Sequence, residues 1–473
     1  MDPAPNETEH RRPPFLYGLL VLATLAAVAA TGWALLSPSL LLGRQVAAAT
    51  TEPVESAPPA PDPEHPVRGR VLDAATGAPL RGASLWIGSD EVLTDEEGRF
   101  TTGPVKLGAG FFVKFPGYEL RRLTAEKAEM TVALPPKIVR AAYLTYFGVA
   151  DKGIRERVLE LVARTELNAV VIDVKGDRGL IPYRTEVPLA LEVGAQGPVI
   201  IKDFGGMIMA LKSRGIYTIA RIVTFKDNVL AQHRPDWAVI DTRTGKPWMD
   251  NEKLAWVDPF REEVWDYAIA VAKEAAAKGF DEIQFDYVRF PTDGKLSAAK
   301  YSQPNNSGTR LPAIGRFLAK ARRELAPLGV FVAADVFGYT AFNENDTDIG
   351  QRVEELVTHL DYICPMVYPS GYHRGIPGVR NPVAQPYEIV KESVRLTRKR
   401  AAHAPAVVRP WLQDFRDYAF DRRIFGVSEI KAQLRGARDG GAVGYMLWNP
   451  KNDYTGAALP PKTVTTARAN STP

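Results

Sequence analysis

From Arg140 onward the sequence repeats one local pattern, in which a short apolar run is followed by an amphipathic polar stretch and then by another apolar run. Several of the amphipathic stretches end in Gly, the usual stop of a helix. Strands that alternate with helices predict a parallel sheet, because parallel strands need a crossover connection. The apolar runs are "RAAYLTYF" (140–147), "NAVVIDVKG" (168–176), "YTIARIVTF" (217–225), "EIQFDYVRFP" (282–291), "VFVAADVFGY" (330–339), "DYICPMVYPSGY" (361–372), "AVVRPWLQDF" (406–415) and "AVGYMLWNP" (442–450).

Eight such runs predict a closed barrel of eight parallel strands, the (β/α)8 or TIM barrel, over residues 140–460. An open doubly wound sheet is the alternative, but no glycine-rich phosphate loop follows the first run. In a (β/α)8 barrel the active site lies at the C-terminal ends of the strands. The last residues of each run are therefore where chemistry is expected.

The N-terminal part of the chain has a different texture. Residues 15–36 carry no charged side chain and are long enough to cross a bilayer as a helix. Arg11 and Arg12 precede them, which predicts that residues 1–14 are cytoplasmic and that the C-terminal domains lie outside the cell membrane. Cleavage as a signal peptide, followed by secretion, is the alternative. Residues 37–66 are predicted to be a proline-rich linker and residues 461–473 a disordered tail.

Residues 67–136 contain short alternating runs separated by turns rich in Gly, Pro and Asp, which predicts a small antiparallel β-sandwich. The pieces "GRVLDAATGAPLRGASL", "TDEEGRF" and "FPGY" resemble the carboxypeptidase regulatory-like domains, which have a transthyretin-like fold. That resemblance implies either a carbohydrate-binding module or a structural spacer. The predicted fold class is thus α/β, a TIM barrel preceded by a β-sandwich and a transmembrane helix.

Composition narrows the range of functions. The net charge of +4, from 59 basic and 55 acidic residues, gives no reason to expect a nucleic-acid partner. No G-x-S-x-G elbow and no Walker loop is present, and no cofactor is predicted. The six histidines form no HxH or HExxH pair, so no metal site is predicted. They are His10, His65, His233, His359, His373 and His403.

The ends of the predicted strands carry acids, aromatic rings and amides. Carboxylates do acid, base and nucleophilic work on glycosidic bonds, and aromatic faces stack on sugar rings. This inventory therefore predicts a sugar site. Its members are Asp173, Lys175, Arg221, Asp286, Tyr287, Arg289, Asp335, Tyr368, Gln413, Asp414, Trp448 and Asn449.

A long connection at 226–261 follows the third predicted strand and holds Trp237, Trp248 and Trp256. Loops of this length inside a compact domain are usually functional, so at least one of these rings is expected to touch the ligand. The alternative is that all three pack the loop onto the barrel.

Glycosidases need two carboxyl groups that face the scissile bond. Asp286 is predicted to be the nucleophile or charge stabiliser, with Arg289 and Tyr287 holding it ionised. A purely structural salt bridge between Asp286 and Arg289 is the alternative. Asp335 is predicted to be the general acid/base, since apolar surroundings would raise its pKa. Asp173 and Asp414 are the alternates for this second role.

Several segments occur in an order that resembles the glycosyl hydrolase domain of a family of bacterial envelope proteins, distant relatives of the α-amylase-like barrels. The resemblance covers 140–455 and is carried by "NAVVIDVKGDRGLIPY", "YTIARIVTFKDNVLA", "RPDWAV", "LAWVDPFREEVWDY", "GFDEIQFDYVRFP" and "AADVFG". In related barrels the strand-four Asp is the nucleophile, which implies that role for Asp286. The strand-five acid is commonly Glu in those barrels, whereas this chain has Asp335.

The leading hypothesis is a membrane-anchored glycoside hydrolase that acts on a cell-envelope or extracellular polysaccharide or oligosaccharide. One alternative is a catalytically inert carbohydrate-binding barrel, which would not need two carboxyl groups at a working separation. A polysaccharide deacetylase is another, and it would need His233 or His373 next to Asp286.

Overall fold

The structure is a computed structural model that describes residues 64–462. Its helices are α1 (Tyr146–Ala150), α2 (Lys152–Arg164), α3 (Pro188–Glu192), α4 (Phe204–Ser213), α5 (Asn228–His233), α6 (Glu262–Ala277), α7 (Ser307–Leu325), α8 (Val353–Leu356), α9 (Pro386–Arg400) and α10 (Val427–Gly440). Its strands are β1 (His65–Asp73), β2 (Ser84–Ile87), β3 (Asp90–Leu93), β4 (Arg99–Val105), β5 (Gly110–Lys114), β6 (Arg121–Thr124), β7 (Glu129–Leu134), β8 (Arg140–Leu144), β9 (Ala169–Lys175), β10 (Ile181–Tyr183), β11 (Gln196–Ile201), β12 (Tyr217–Val223), β13 (Ile240–Asp241), β14 (Glu282–Asp286), β15 (Ala299–Lys300), β16 (Phe331–Phe337), β17 (Tyr362–Met366), β18 (Val407–Val408), β19 (Trp411–Gln413) and β20 (Tyr445–Trp448).

The predicted barrel is confirmed. Its parallel strands follow the order β8, β9, β12, β14, β16 and β17, then the pair β18 and β19, then β20, which pairs back with β8. The seventh position consists of two short strands because Pro410 lies between them and has no backbone N–H to donate. Closure of the sheet brings the C-terminal ends of all the strands to one opening.

The buried side chains form two layers, one inside the barrel and one between the strands and the helices. On β14 the alternation separates them: Ile283 and Phe285 belong to the outer layer, where Phe285 packs edge-on against Phe317 of α7 with ring centres 5.1 Å apart. The other three residues of β14 are polar and line the barrel interior. A strand that looks uniformly buried therefore carries charge on one face only.

At the N-terminal end of the barrel interior this charge is neutralised by an ion pair. Glu282 accepts hydrogen bonds from the guanidinium of Arg409 and from the Tyr217 hydroxyl, which is 3.1 Å away. Both side chains of the ion pair are fully buried. Such a pair is stable only because each charge keeps its partner.

Residues 64–136 form two sheets, with strand orders β4-β1-β7 and β3-β2-β5-β6, around one shared apolar cluster. The expectation of a wholly antiparallel arrangement is wrong at one place, since β1 and β7 pair in parallel. The resemblance to carboxypeptidase regulatory-like domains, and the domain boundaries, stay predictions.

These sheets contact the N-terminal end of the barrel. Lys114, the last residue of β5, donates to the carboxylate of Asp361 at 2.8 Å and to the carbonyl of Val330 at 2.9 Å. The Lys114 and Asp361 side chains are 1% and 4% exposed. Nearby, the Gly117 amide donates to the Tyr362 hydroxyl at 3.1 Å. A buried ion pair thus joins the two sheets to the strands of the barrel.

Within residues 64–462, no helix has both the length and the apolar character that a bilayer crossing requires. The predicted segments 1–14 and 15–36 lie outside the described residues, as do 37–63 of the predicted linker and 463–473 of the predicted tail.

Candidate active site

A cavity of about 820 Å³ opens at the C-terminal ends of the barrel strands. Its walls combine carboxylates, guanidinium groups and aromatic rings, as the strand-end inventory predicts. The predicted site residues that line it are Arg221, Asp286, Tyr287, Arg289, Asp335, Tyr368, Trp448 and Asn449.

Asp286, the last residue of β14, is held in place by three hydrogen bonds. Arg221 of β12 donates to its Oδ2 from Nε at 2.9 Å and from Nη2 at 2.6 Å. The backbone amide of Tyr287 donates to Oδ1 at 2.6 Å. Tyr287 has a φ of 50°, so the strand ends here rather than at the predicted residue 291. Asp286 therefore forms a buried ion pair with Arg221.

Of the two residues predicted to hold Asp286 ionised, Tyr287 donates its backbone amide to the carboxylate, but the predicted charge pair with Arg289 is wrong. Arg289 makes no ion pair with any acid among residues 64–462; its Nη1 donates to the Phe290 carbonyl at 3.0 Å and to the Thr292 hydroxyl at 3.4 Å. Sequence proximity suggested Arg289, but the neighbouring parallel strand brings Arg221 closer to the carboxylate.

Arg221 is the centre of a buried charge network. Besides Asp286, it donates to Asp173 at 2.8 Å and to Asp177 at 3.0 Å. Burial by itself would lower the pKa of Arg221, but the three carboxylates outweigh it and raise that pKa well above its usual value. The guanidinium also lies 5.1 Å from the ring centre of Trp448. A permanent cation is thus fixed in the wall of the cavity.

Asp173 lies behind the cavity wall and does not line it. Its carboxylate accepts from the Tyr143 hydroxyl at 2.6 Å, from the Tyr146 amide at 3.1 Å and from Arg221. Burial raises its pKa, against the opposing effect of Arg221. With its oxygens engaged in this way, Asp173 orients Arg221 instead of reaching a ligand.

Asp335 of β16 is another carboxyl group in the cavity wall, which also contains those of Asp177, Glu252 and Asp293, and it is 1% exposed. Burial raises its pKa well above the usual value, and the negative charge of Asp286 raises it further. The indole Nε1 of Trp411 donates to Oδ1 at 2.7 Å, which partly opposes that rise. These neighbours favour the protonated form of Asp335. Asp286 and Asp335 thus line one cavity in different environments, an ion pair with Arg221 for Asp286 and burial without a cationic partner for Asp335.

Lys175 does not reach the cavity. On β9 the strand register shifts after Asp173, so that Ile222 faces Lys175 where strict alternation would bring Val174. This bulge turns Lys175 to the helix side of the strand, where its Nζ lies 2.5 Å from Asp227. Its side chain is fully buried, and its prediction as a ligand-binding residue is not supported by this position.

The three tryptophans of the long loop also lie outside the cavity lining. The indole N–H of Trp248 donates to the Lys295 carbonyl at 3.0 Å, and that of Trp256 donates to Asp250 at 3.0 Å. Trp237 stacks on the Arg234 guanidinium. Their contacts match the alternative interpretation, in which they pack the loop onto the barrel.

Gln413 and Asp414 are buried beside the cavity rather than in its wall. Gln413 exchanges hydrogen bonds with the backbone and hydroxyl of Ser370, at 3.0 and 2.7 Å. Asp414 accepts from the amide and hydroxyl of Thr455, at 2.9 and 2.7 Å. Burial raises the pKa of Asp414 to about 6, against these hydrogen bonds. Both residues support loops, so neither matches its predicted role as ligand contact or alternate acid.

Some site residues were missed by sequence reasoning. Trp411 precedes Gln413 by two positions on the same strand face, so its alternation was a usable signal. Phe415 and Tyr418 line the cavity with nearly parallel rings, at an angle of 9° and 6.3 Å between centres. They supply the aromatic surface that had been expected from the loop tryptophans. Asp177 lies just beyond the end of β9, and its position there was the only available signal.

The histidines required by the deacetylase alternative lie elsewhere. His233 faces Glu192 at 4.0 Å, and His373 packs against the Tyr339 ring. Neither lines the cavity that holds Asp286. Among residues 64–462, no group of three or more His, Cys, Asp or Glu side chains has an arrangement suited to a metal ion.

Comparison with known proteins gives one family. Residues 141–454 match the family model described as "Putative glycosyl hydrolase domain", whereas no curated protein matches the chain. Among solved structures, a hypothetical protein from Ruminiclostridium thermocellum ATCC 27405 is 38% identical, with 41% of this chain and 97% of that chain covered and a TM-score of 0.37.

Two further structures are more distant. The glycoside hydrolase domain of PgaB (BpsB) from Bordetella bronchiseptica is 15% identical, with 69% of this chain and 100% of that one covered and a TM-score of 0.48. The glycoside hydrolase domain of PelA from Pseudomonas aeruginosa is 13% identical, with 67% and 96% covered and a TM-score of 0.39. Since the family model spans more than half of the sequence, this chain belongs to the family described as "Putative glycosyl hydrolase domain".

Proposed function

We propose that the protein is a glycoside hydrolase that cleaves O-glycosidic bonds of a cell-envelope or extracellular polysaccharide. The observation that carries this proposal is that one cavity holds Asp286, paired with Arg221, and Asp335, whose buried surroundings favour its protonated form. Titratable groups whose environments push them into opposite states are the usual acid and base of an active site. Aromatic rings in the same wall offer stacking surfaces for sugars.

In the proposed reaction Asp335 gives its proton to the glycosidic oxygen as the bond from that oxygen to the anomeric carbon breaks. The electron pair of the bond goes to the leaving oxygen, and Asp286 faces the positive charge that develops on the anomeric carbon. Water then supplies a hydroxyl to this carbon and a proton to the Asp335 carboxylate. Arg221 keeps Asp286 charged and correctly oriented throughout.

The cellular location is also a proposal. Residues 15–36 have the length and apolar composition of a membrane anchor, and the arginines before them favour a cytoplasmic N-terminus. We infer that this segment tethers the barrel outside the cell membrane, within reach of envelope polymers.

Hydrolysis by the full chain tests the function directly. Reducing ends would be measured after incubation with a panel of bacterial exopolysaccharides and α- and β-linked glucans. Turnover of at least one polymer is expected, and an Asp414→Asn variant should retain it, because Asp414 is buried outside the cavity. Tight polymer binding without turnover, unchanged by Asp286→Asn and Asp335→Asn, would instead identify an inert binding barrel.

The pH dependence of activity should respond to Trp411. Asp335 acts in its protonated form, so activity is present below its pKa and is lost as the pH rises through it. The indole N–H of Trp411 favours the charged form, and its removal in Trp411→Phe should raise the pKa of Asp335 further. The alkaline limb of kcat/KM is therefore expected to move to higher pH. If the alkaline limb stays where it is or moves to lower pH, the group that causes this limb is not Asp335.

A further inference from the structure

Arg289 is the exception among the buried cations of residues 64–462. Each of the other buried lysines and arginines forms an ion pair with a carboxylate. These residues are Lys114, Lys175, Arg221, Lys226, Arg310 and Arg409. Arg289 is 7% exposed, yet no acid of the described residues lies within ion-pair distance of it. A buried charge without a partner costs several kcal/mol, so this position needs an explanation.

The surroundings of Arg289 fix its guanidinium without neutralising it. The group lies 4.6 Å from the ring centre of Phe337, 4.8 Å from that of Tyr287 and 5.1 Å from that of Trp256. Only Nη1 has hydrogen-bond partners among residues 64–462, which leaves Nε and Nη2 as donors without an acceptor. Burial lowers the pKa of Arg289, against the partial opposition of Tyr287 and of more distant carboxylates.

The location of Arg289 points to a ligand. Arg289 lines the same cavity as Asp286 and Asp335, and two of the rings around it, Tyr287 and Phe337, line that cavity as well. A guanidinium presents its N–H groups in a planar fork that matches the oxygens of a carboxylate or of a related oxyanion. An anionic group in the cavity would supply the partner that the protein itself does not.

We propose that Arg289 binds an acidic substituent of the polysaccharide, a carboxylate or a sulfate, in a subsite next to the cleavage point. This inference rests on the proposed function and names its substrate class, an anionic polysaccharide. Discrimination follows from the same geometry, because a neutral sugar would leave the buried guanidinium without a counter-charge when it displaced water from the cavity. Arg289 is thus a specificity-determining residue.

Binding measurements on matched polymers test the proposal. The full chain would carry Asp335→Asn, which blocks proton donation and leaves the charge of the protonated site unchanged. Calorimetry would compare polygalacturonate with its methyl ester, and dextran sulfate with dextran. We expect one anionic polymer to bind about tenfold or more tightly than its neutral counterpart, as expected for charge-assisted hydrogen bonds. The first pair reports a carboxylate site and the second a sulfate site.

Two substitutions in that background locate the effect. Arg289→Gln should abolish the preference, whereas Arg416→Gln, at an exposed cation that also lines the cavity, should retain most of it. Arg289→Lys keeps the charge but loses the fork, so part of the preference should return if Arg289→Gln fails to fold. Equal binding of anionic and neutral polymers, or a preference that survives Arg289→Gln, would overturn the proposal. These experiments measure binding and not hydrolysis. A lack of hydrolysis in the activity panel would therefore count against the proposed function and not against the role of Arg289.

Discussion

Replacing Asp286 by Asn in the full chain is expected to lower kcat/KM by about a thousandfold or more on any polymer that the wild type hydrolyses. The amide has the same shape but removes the negative charge that, in the proposed reaction, faces the anomeric carbon in the transition state, where such charge contributes most. Arg221 would still be balanced by Asp173 and Asp177, so the fold should persist. Initial rates and a thermal melt of the same preparation measure the two effects separately.

A comparison with Asp335→Asn distinguishes the role of Asp286 from that of the proton donor. A similar loss is expected on polysaccharides, because the leaving oxygen then lacks its proton donor. On an aryl glycoside of the same sugar the leaving group needs no proton, so Asp335→Asn should recover most of its rate while Asp286→Asn does not. Asp414→Asn serves as the carboxyl control outside the cavity. Activity above a tenth of the wild-type value in Asp286→Asn would remove this residue from the chemistry.

Replacing Lys114 by Met should destabilise the protein by about 3–5 kcal/mol, the usual effect of breaking a buried ion pair from one side. The substitution leaves Asp361 buried with only the Val332 amide, at 2.8 Å, and the more distant Arg322 guanidinium, at 3.8 Å. The Val330 carbonyl also loses its donor. Denaturant unfolding of the full chain measures the change in free energy.

Two controls distinguish the ion pair from a general effect of the substitution. Lys106→Met changes an exposed lysine in the turn between β4 and β5 and should alter stability by no more than about 0.5 kcal/mol. In the double variant Lys114→Met with Asp361→Asn, the unpaired charge is gone, and part of the stability should return. If Lys114→Met is no worse than Lys106→Met, the contact between the sheets and the barrel contributes little to stability.

Sequence patterning was sufficient for the barrel and for both carboxyl groups of the site. The run that contains Asp286 alternates apolar and polar residues, whereas Asp335 is the one polar residue of its run; both acids lie near the C-terminal end of a strand, where a parallel barrel opens. The family resemblance pointed to the same strand-four residue. Both inferences depend only on the order of residues along one strand, and this order is the same in any fold that contains the strand.

Contacts between segments distant in the chain could not be obtained in this way. Arg221 replaced Arg289 as the partner of Asp286 because strand pairing sets distances that sequence separation does not. Lys175 does not line the cavity, because a bulge in β9 places its side chain on the opposite face of the strand. A single extra residue in a strand cannot be recognised from the pattern of apolar residues. The loop tryptophans became packing residues because the loop folded back onto the barrel.

By itself, then, the sequence determined the strand order, the barrel class and the position of Asp286 and Asp335 at the open end of the barrel, because periodicity and chain order encode these directly. Only the tertiary structure decided that Asp286 pairs with Arg221, that burial raises the pKa of Asp335, and that Arg289 is a buried cation with no carboxylate partner among residues 64–462. The pKa of a side chain, and whether a buried charge has a partner, depend on burial and on the distances between side chains of different strands. Those distances exist only once the barrel has closed.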